Sequence, residues 1–237
     1  MGVIEKTAIM VDGAFYRRRA YYLFGDKPPE ARADELVRYC QRHLKMQDGA
    51  KASLYRIFYY DCPPLTGNVY HPLLQKAICM EKSDTYSWSK DFYAALANKR
   101  KVALRMGELQ EGESGFRIKS KPIKRLLRGE MAVGDLKQSD FELDVVQKGV
   151  DMRIGLDISL MALKKQVTQI VLIAGDSDFV PAAKHARREG IDFILDPMWH
   201  GIKPGLKEHI DGLRSCTSMD PSPQSECLHA DYRRANQ

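Results

Sequence analysis

The stretch "LIAGDSDFVPAAKHARREGIDFILD", residues 172–196, decides how this chain is read. Its apolar start extends back to "VTQIVLIAG" (167–175), a short run bounded by glycine that suits a buried strand. A helix follows from about residue 179 to 189, Gly190 terminates it, and "IDFILD" (191–196) is a further strand. Where the first strand meets the helix stand two aspartates, Asp176 and Asp178. One reading is structural, with Asp178 capping a helix that begins at Phe179. The other is chemical, and the rest of the chain bears on the choice.

Upstream, "TAIMVDG" (7–13) and "SLYRIFYYD" (53–61) are apolar runs, the second stopped by Cys62-Pro63-Pro64. Between them "ARADELVRYCQRHLKM" carries Leu36, Tyr39, Cys40 and Leu44 at helical spacing, which completes a βαβ unit. "SWSKDFYAALAN" (87–98) reads as a helix and "KVALRMGEL" (101–109) as a third strand. Strands alternating with helices predict a three-layer α/β/α sandwich with a mostly parallel central sheet over residues 1–215. Residues 110–140 are polar and glycine-rich and form an excursion from that sheet. Residues 216–237 hold little apolar content and are expected to be a disordered tail.

The 237 residues are 44% apolar, enough for a full core without a disulfide or structural zinc. Lys and Arg number 37 against 31 acidic residues, a net charge of +6 that suits a polyanionic partner, although position matters more than the sum. Five cysteines, at 40, 62, 79, 216 and 227, form no Cys-x-x-Cys pair and are expected to be reduced thiols of a cytoplasmic protein. The first residues lack the apolar core of a signal peptide, and no uninterrupted apolar window is long enough for a membrane span. Edge strands or the 110–140 excursion leave room for a homo-oligomer.

In an open parallel sheet, ligands bind beyond the carboxyl ends of the strands. Asp12 ends the first strand, and Asp176 and Asp178 end the fourth, so neighbouring strands would bring three carboxylates to one edge. Two unit charges about 4 Å apart repel by roughly 4 kcal/mol at an effective dielectric near 20. Such a cluster calls for protonation or a cation, and its hard oxygen donors suit Mg²⁺ or Mn²⁺. "QKGVDMRIGLDISLMALKKQ" (147–166) adds Asp151 in the first turn of a helix whose apolar stripe is Val150, Ile154, Ile158 and Met161. Asp157 on the same helix points about 120° away, which suits it to holding a neighbouring backbone or basic group.

The segments "IMVDGAFYRR", "RIFYYDCPP", "QKGVDMRIGLDI" and "VLIAGDSDFVPAAKHARREG", in this order, resemble the NYN domain, a branch of the PIN-like nuclease fold, and in particular its LabA-like members. The similarity runs over residues 7–213. It implies a PIN-like domain that holds Mg²⁺ or Mn²⁺ on acidic residues and hydrolyses RNA. Carried over by position, the metal-holding and catalytic set is Asp12, Asp151, Asp176 and Asp178, with Asp157 supporting it from behind. Ala14 and Phe15 depart from a polar position of the family. On this reading Arg17, Arg18, Lys119, Lys121, Lys124 and Arg125 follow the backbone of a single-stranded RNA, and Phe15 or Trp88 stacks a base. The alternative is a non-catalytic RNA-binding or regulatory module of the same fold.

Two other classes fit less well. "AGDSDF" is similar to a segment of haloacid dehalogenase phosphatases, but these need a second aspartate two residues after the first, where this chain has Ala14. A dinucleotide-binding oxidoreductase needs a Gly-x-Gly-x-x-Gly after a strand, and none is present.

Overall fold

The computed structural model of the chain describes residues 5–45, 51–110, 114–202 and 204–217. Strand β1 (Lys6–Asp12) runs directly into helix α1 (Gly13–Phe24), and α2 (Pro29–Arg42) follows with proline in its first turn. Strand β2 (Ser53–Asp61) matches the predicted span. A hairpin of β3 (Asn68–His71) and β4 (Lys76–Cys79) precedes α3 (Asp84–Ala97), whose first turn is capped by the Ser83 hydroxyl. Then come β5 (Val102–Met106), the short β6 (Glu108–Leu109), β7 (Gly115–Ile118), α4 (Ser120–Leu127), β8 (Phe141–Asp144) and β9 (Gln147–Lys148). The chain ends with α5 (Val150–Leu163), β10 (Gln169–Ile173), α6 (Val180–Arg188), β11 (Asp192–Asp196), α7 (Pro204–Lys207) and β12 (Gly212–Leu213).

Six strands form one parallel sheet in the order β12-β11-β10-β1-β2-β5. Strand β1 pairs with β10 on one side, Val11 opposite Ile173, and with β2 on the other, Asp12 opposite Tyr60. Side chains alternate across a strand, so each strand feeds two cores. Ala8 and Met10 join Phe58, Tyr60, Ile170 and Leu172 beneath α5 and α6. Ile9 and Val11 join Ile57, Tyr59, Val171 and Ile173 beneath α1, α2 and α3. The predicted α/β/α sandwich is the fold observed, and the stripe Val150, Ile154, Ile158 and Met161 is buried throughout.

The predicted strand 101–109 is shorter and bent. It leaves the sheet after Met106, and Glu108 and Leu109 pair antiparallel with β9 instead. Gly107 makes the turn possible, since a Cβ there would sit 2.6 Å from the Lys148 carbonyl. The excursion is therefore ordered around a second hairpin, β7 with β8, whose Phe116 and Phe141 rings flank His71 of β3. Both ends of this excursion lie at the carboxyl edge of the sheet, because β5 ends there and α5 starts there. Of the predicted tail, Cys216 and Thr217 are tied down: their carbonyl oxygens accept from Arg42 and from the Trp199 indole. Residues 218–237 lie outside the described residues. No helix among the described residues is long and apolar enough to cross a membrane.

The β1–α1 junction leaves no room for a side chain at Gly13, where a Cβ would lie 2.5 Å from the Asp61 carboxylate and 2.7 Å from the Tyr59 ring. Gly13→Ala is expected to destabilise the fold by about 1–3 kcal/mol through overpacking, read as a lower urea midpoint with an unchanged m-value.

Candidate active site

The order of the sheet makes a switch point. From β1 the chain steps to β2 and β5 on one side, then returns to β10, β11 and β12 on the other. The first crossovers cover one face and α5 and α6 cover the other, so the loops leaving β1 and β10 diverge and open a crevice between them. Asp12 ends β1 at that crevice, and Asp176 and Asp178 follow β10.

Asp12 is partly buried and its Oδ1 accepts from the Phe15 amide at 3.1 Å, capping α1. Its parity on β1 is that of Ala8 and Met10, which puts it on the α5 side of the sheet. Asp151 reaches the same edge because α5 starts at Val150, after Gly149 in the left-handed conformation (φ 80°), a backbone state that a side chain would strain. Asp176 and Asp178 are exposed. Asp178 does not cap α6; Asp176 Oδ1 instead accepts from the Asp178 amide at 3.2 Å. Asp151 and Asp178 share a groove of about 380 Å³ between α5 and α6, lined also by Met152, Gly155, Ser159 and Phe179. A larger cavity of about 770 Å³, lined by Lys184, Arg187, Arg188 and Asp192, includes none of the four carboxylates.

The electrostatics link the four. Burial, then the charges of Asp151 and Asp61, push the Asp12 carboxyl up to about 6, against the Phe15 amide and Arg18. Partial burial, then the charges of Asp176 and Asp178, raise that of Asp151. Asp151 is thus the centre of a like-charge set that reaches both strand ends. All donors are carboxylate oxygens, the type Mg²⁺ and Mn²⁺ take, so the residues fit such an ion chemically. Among the described residues no three His, Cys, Asp or Glu side chains stand close enough together to form a finished metal site.

The remaining expected residues divide. Asp157 faces away from the four and accepts from the Tyr60 hydroxyl at 2.8 Å and from Arg105 at 3.1 Å. Arg18 is exposed beside Asp12, whereas the Arg17 guanidinium is committed to Asp61 and, at 2.6 Å, to the Tyr93 hydroxyl. Lys121, Lys124 and Arg125 project from α4, and Lys119 precedes it with its ammonium donating to the Ser139 carbonyl at 2.8 Å. Phe15 is 6% exposed, its ring filling the space beside Gly175 and meeting His200 edge-on, so it offers no face to a base. Trp88 is only partly buried and borders an open pocket of about 390 Å³ with Arg17 and Tyr21.

Asp61 is the residue that the motif reading passed over. It follows a tyrosine pair on β2, with Tyr59 and Tyr60 on opposite faces, and so falls on the α1 side, facing Arg17. Besides Arg17, Asp61 accepts from the Tyr59 hydroxyl at 3.1 Å and the Cys62 amide at 2.8 Å. Burial raises its carboxyl, opposed chiefly by Arg17. The signal available was its position: an aspartate ending the strand next to β1.

The Asp12 shift has a measurable consequence for stability. Its folded pKa, about 6, lies above the ordinary 3.8, so the folded state binds the proton more tightly and loses stability as pH rises between the two. Asparagine keeps the cap and drops the charge. Asp12→Asn is therefore expected to be more stable than the parent above pH 6, with the gain shrinking to nothing near pH 4, in denaturant unfolding without metal. An equal effect at both pH values would overturn this account.

Residues 89–199, from α3 through β11 and the loop after it, match the family model of the NYN domain, a PIN-like α/β fold. That span contains Asp151, Asp157, Asp176 and Asp178 but not Asp12. A crystal structure of a protein of unknown function, VPA0982 from Vibrio parahaemolyticus RIMD 2210633, is similar at 14% identity and a TM-score of 0.42, over 90% of this chain and 94% of that one. No curated protein matches. NYN domains are typically nucleases of the PIN-like superfamily, and residues 89–199 are similar to that domain.

Proposed function

We propose that the protein is a metal-dependent ribonuclease of the LabA-like branch, hydrolysing phosphodiester bonds of single-stranded RNA at the carboxyl edge of its sheet. The observation that supports this reading is the acidic set at the switch point: Asp12, Asp151, Asp176 and Asp178 come from two strand ends and one helix start, and after burial the neighbouring carboxylates raise those of Asp12 and Asp151. PIN-like nuclease domains generally use divalent metals, and NYN nucleases act on RNA. The described cysteines are free thiols, which fits a reducing compartment such as the cytoplasm.

In this mechanism Asp12, Asp151 and Asp176 hold Mg²⁺ or Mn²⁺. When bound, the ion offsets charge on the phosphate and makes water more acidic. Asp178, exposed on the groove, orients the attacking water and accepts its proton at a carboxylate oxygen. Arg18 meets the neighbouring phosphate, and the Asp61–Arg17 pair stiffens the start of α1 that carries it. The strand leads from this edge toward the basic helix α4, whose Lys121, Lys124 and Arg125 contact phosphates without reading sequence. Trp88, beside Tyr21, supplies a stacking face.

Cleavage of a labelled single-stranded RNA in Mn²⁺ tests the reading. EDTA, Asp12→Asn and Asp176→Asn are each expected to lower the rate by roughly 100-fold or more while RNA binding persists. Asparagine at 176 retains the acceptor for the Asp178 amide, so folding survives. Binding without cleavage across varied substrates, in the parent protein, would favour the non-catalytic RNA-binding module. The triple change Lys121→Ala, Lys124→Ala, Arg125→Ala is expected to weaken RNA binding and reduce the slope of log K against log salt by about 2. An unchanged slope would remove α4 from the RNA path.

A further inference from the structure

On the opposite side of β10 from β1, a second polar constellation is buried at the end of β11. Asp196 is fully buried, and its two oxygens are shared among four donors. Oδ2 accepts from the Tyr39 hydroxyl at 2.5 Å and lies 2.8 Å from His43 Nε2; Oδ1 accepts from the Met198 amide at 2.7 Å and the Ser215 hydroxyl at 2.8 Å. A carboxylate can only accept, so His43 Nε2 carries the proton that joins them. The other ring nitrogen, Nδ1, lies 3.4 Å from Cys216 Sγ. Cysteine, histidine and aspartate thus stand in line, contributed by the segment after β12, the end of α2 and the end of β11.

This line has the geometry by which a thiol gives its proton to an imidazole: Nδ1 takes the S–H proton, and Asp196 stabilises the imidazolium that results. The surroundings favour the charged pair. The guanidinium of Arg42 donates to the Cys216 carbonyl and that of Arg214 to the His43 carbonyl, each at 3.3 Å. Tyr39 and Cys40, the titratable groups of α2 packed here, have their pKa values pushed up, mainly by burial, and stay neutral. Burial pulls the His43 pKa down, but the hydrogen bonds to Asp196 and Cys216 outweigh it and lift it to about 9. His43 is buried, whereas Cys216 is only partly buried.

We propose that Cys216 is a modification site: a thiol that passes its proton to His43, backed by Asp196, and that hydrogen peroxide oxidises to sulfenic acid. The thiolate sulfur attacks one peroxide oxygen, an S–O bond forms, the O–O bond breaks, and the departing hydroxide takes the proton of imidazolium His43 to leave as water. Sulfur is oxidised and peroxide reduced, with no further reactant. Neither the sheet-edge carboxylates nor RNA takes part.

Cys79 is an internal reference, since it is also partly buried but its sulfur donates to the Glu81 carboxylate at 3.3 Å and faces no imidazole among the described residues. The intact protein is treated with hydrogen peroxide, sulfenic acid is trapped with a dimedone-type probe, and each cysteine is followed by peptide mass spectrometry. At pH 7 Cys216 is expected to be trapped at least about tenfold faster than Cys79, and the two rates to converge in urea. His43→Gln should bring Cys216 down to the Cys79 rate with the melting temperature retained. Equal rates in the native parent protein overturn the proposal, whether or not the variant folds. So does a folded His43→Gln protein in which Cys216 keeps its advantage.

Discussion

The structure depends on β1 being paired on both edges and covered on both faces. A central parallel strand has no solvent side, so its residues must be apolar and its connections must cross over the sheet. Ala8 and Met10 answer to α5 and α6, Ile9 and Val11 to α1 and α2, and these four positions are all apolar. Asp12 is the first charge that follows them on β1. It emerges beside the loop of β10, where burial, with the charges of Asp151 and Asp61, lifts its carboxyl.

The same alternation sorts the acidic groups of the edge into two kinds. Asp61, one residue past Tyr60, points to the α1 face and is neutralised by Arg17. Asp157 reaches toward β2 and β5 from α5 and is held by Tyr60 and Arg105. Asp12, Asp151, Asp176 and Asp178 are different: the shifts of Asp12 and Asp151 are dominated by burial and neighbouring carboxylates, with only Arg18 opposing on the cationic side. Asp61 and Asp157 are held by cationic and hydroxyl partners, whereas Asp151 has carboxylates as its charged neighbours.

Asp196 shows what the edge does elsewhere. It ends β11 just as Asp12 ends β1, yet it is fully buried and saturated with donors from α2 and the loops after β11 and β12. Met198 and Trp199, both at positive φ, follow it, and Arg19 of α1 donates to the Met198 carbonyl at 2.7 Å. The carboxylate therefore anchors a strained loop whose His200 rests on Phe15. Two aspartates at equivalent strand ends thus serve different ends because one faces a crevice and the other a packed layer.

Much of the fold was legible from periodicity. The runs 53–61 and 191–196 and the stripe of α5 were read from apolar spacing, which is a local property and survives folding unchanged. The aspartates of the candidate site were legible as strand-end and helix-start residues, and the family motifs tied them together. The hairpin of β3 and β4, the two-residue β12 and the turn of the chain at Gly107 were not legible, because their strands are too short to show alternation and are held by distant partners. Nor could the sequence say that Arg17 belongs to Asp61 and Phe15 to the core, or that Cys216 stands behind His43 and Asp196. By itself the sequence determined the long strands and helices of the sheet layers, since these are set by the period of burial. Only the tertiary structure decided which charges meet, because strand order and side-chain parity bring together residues separated by more than a hundred positions.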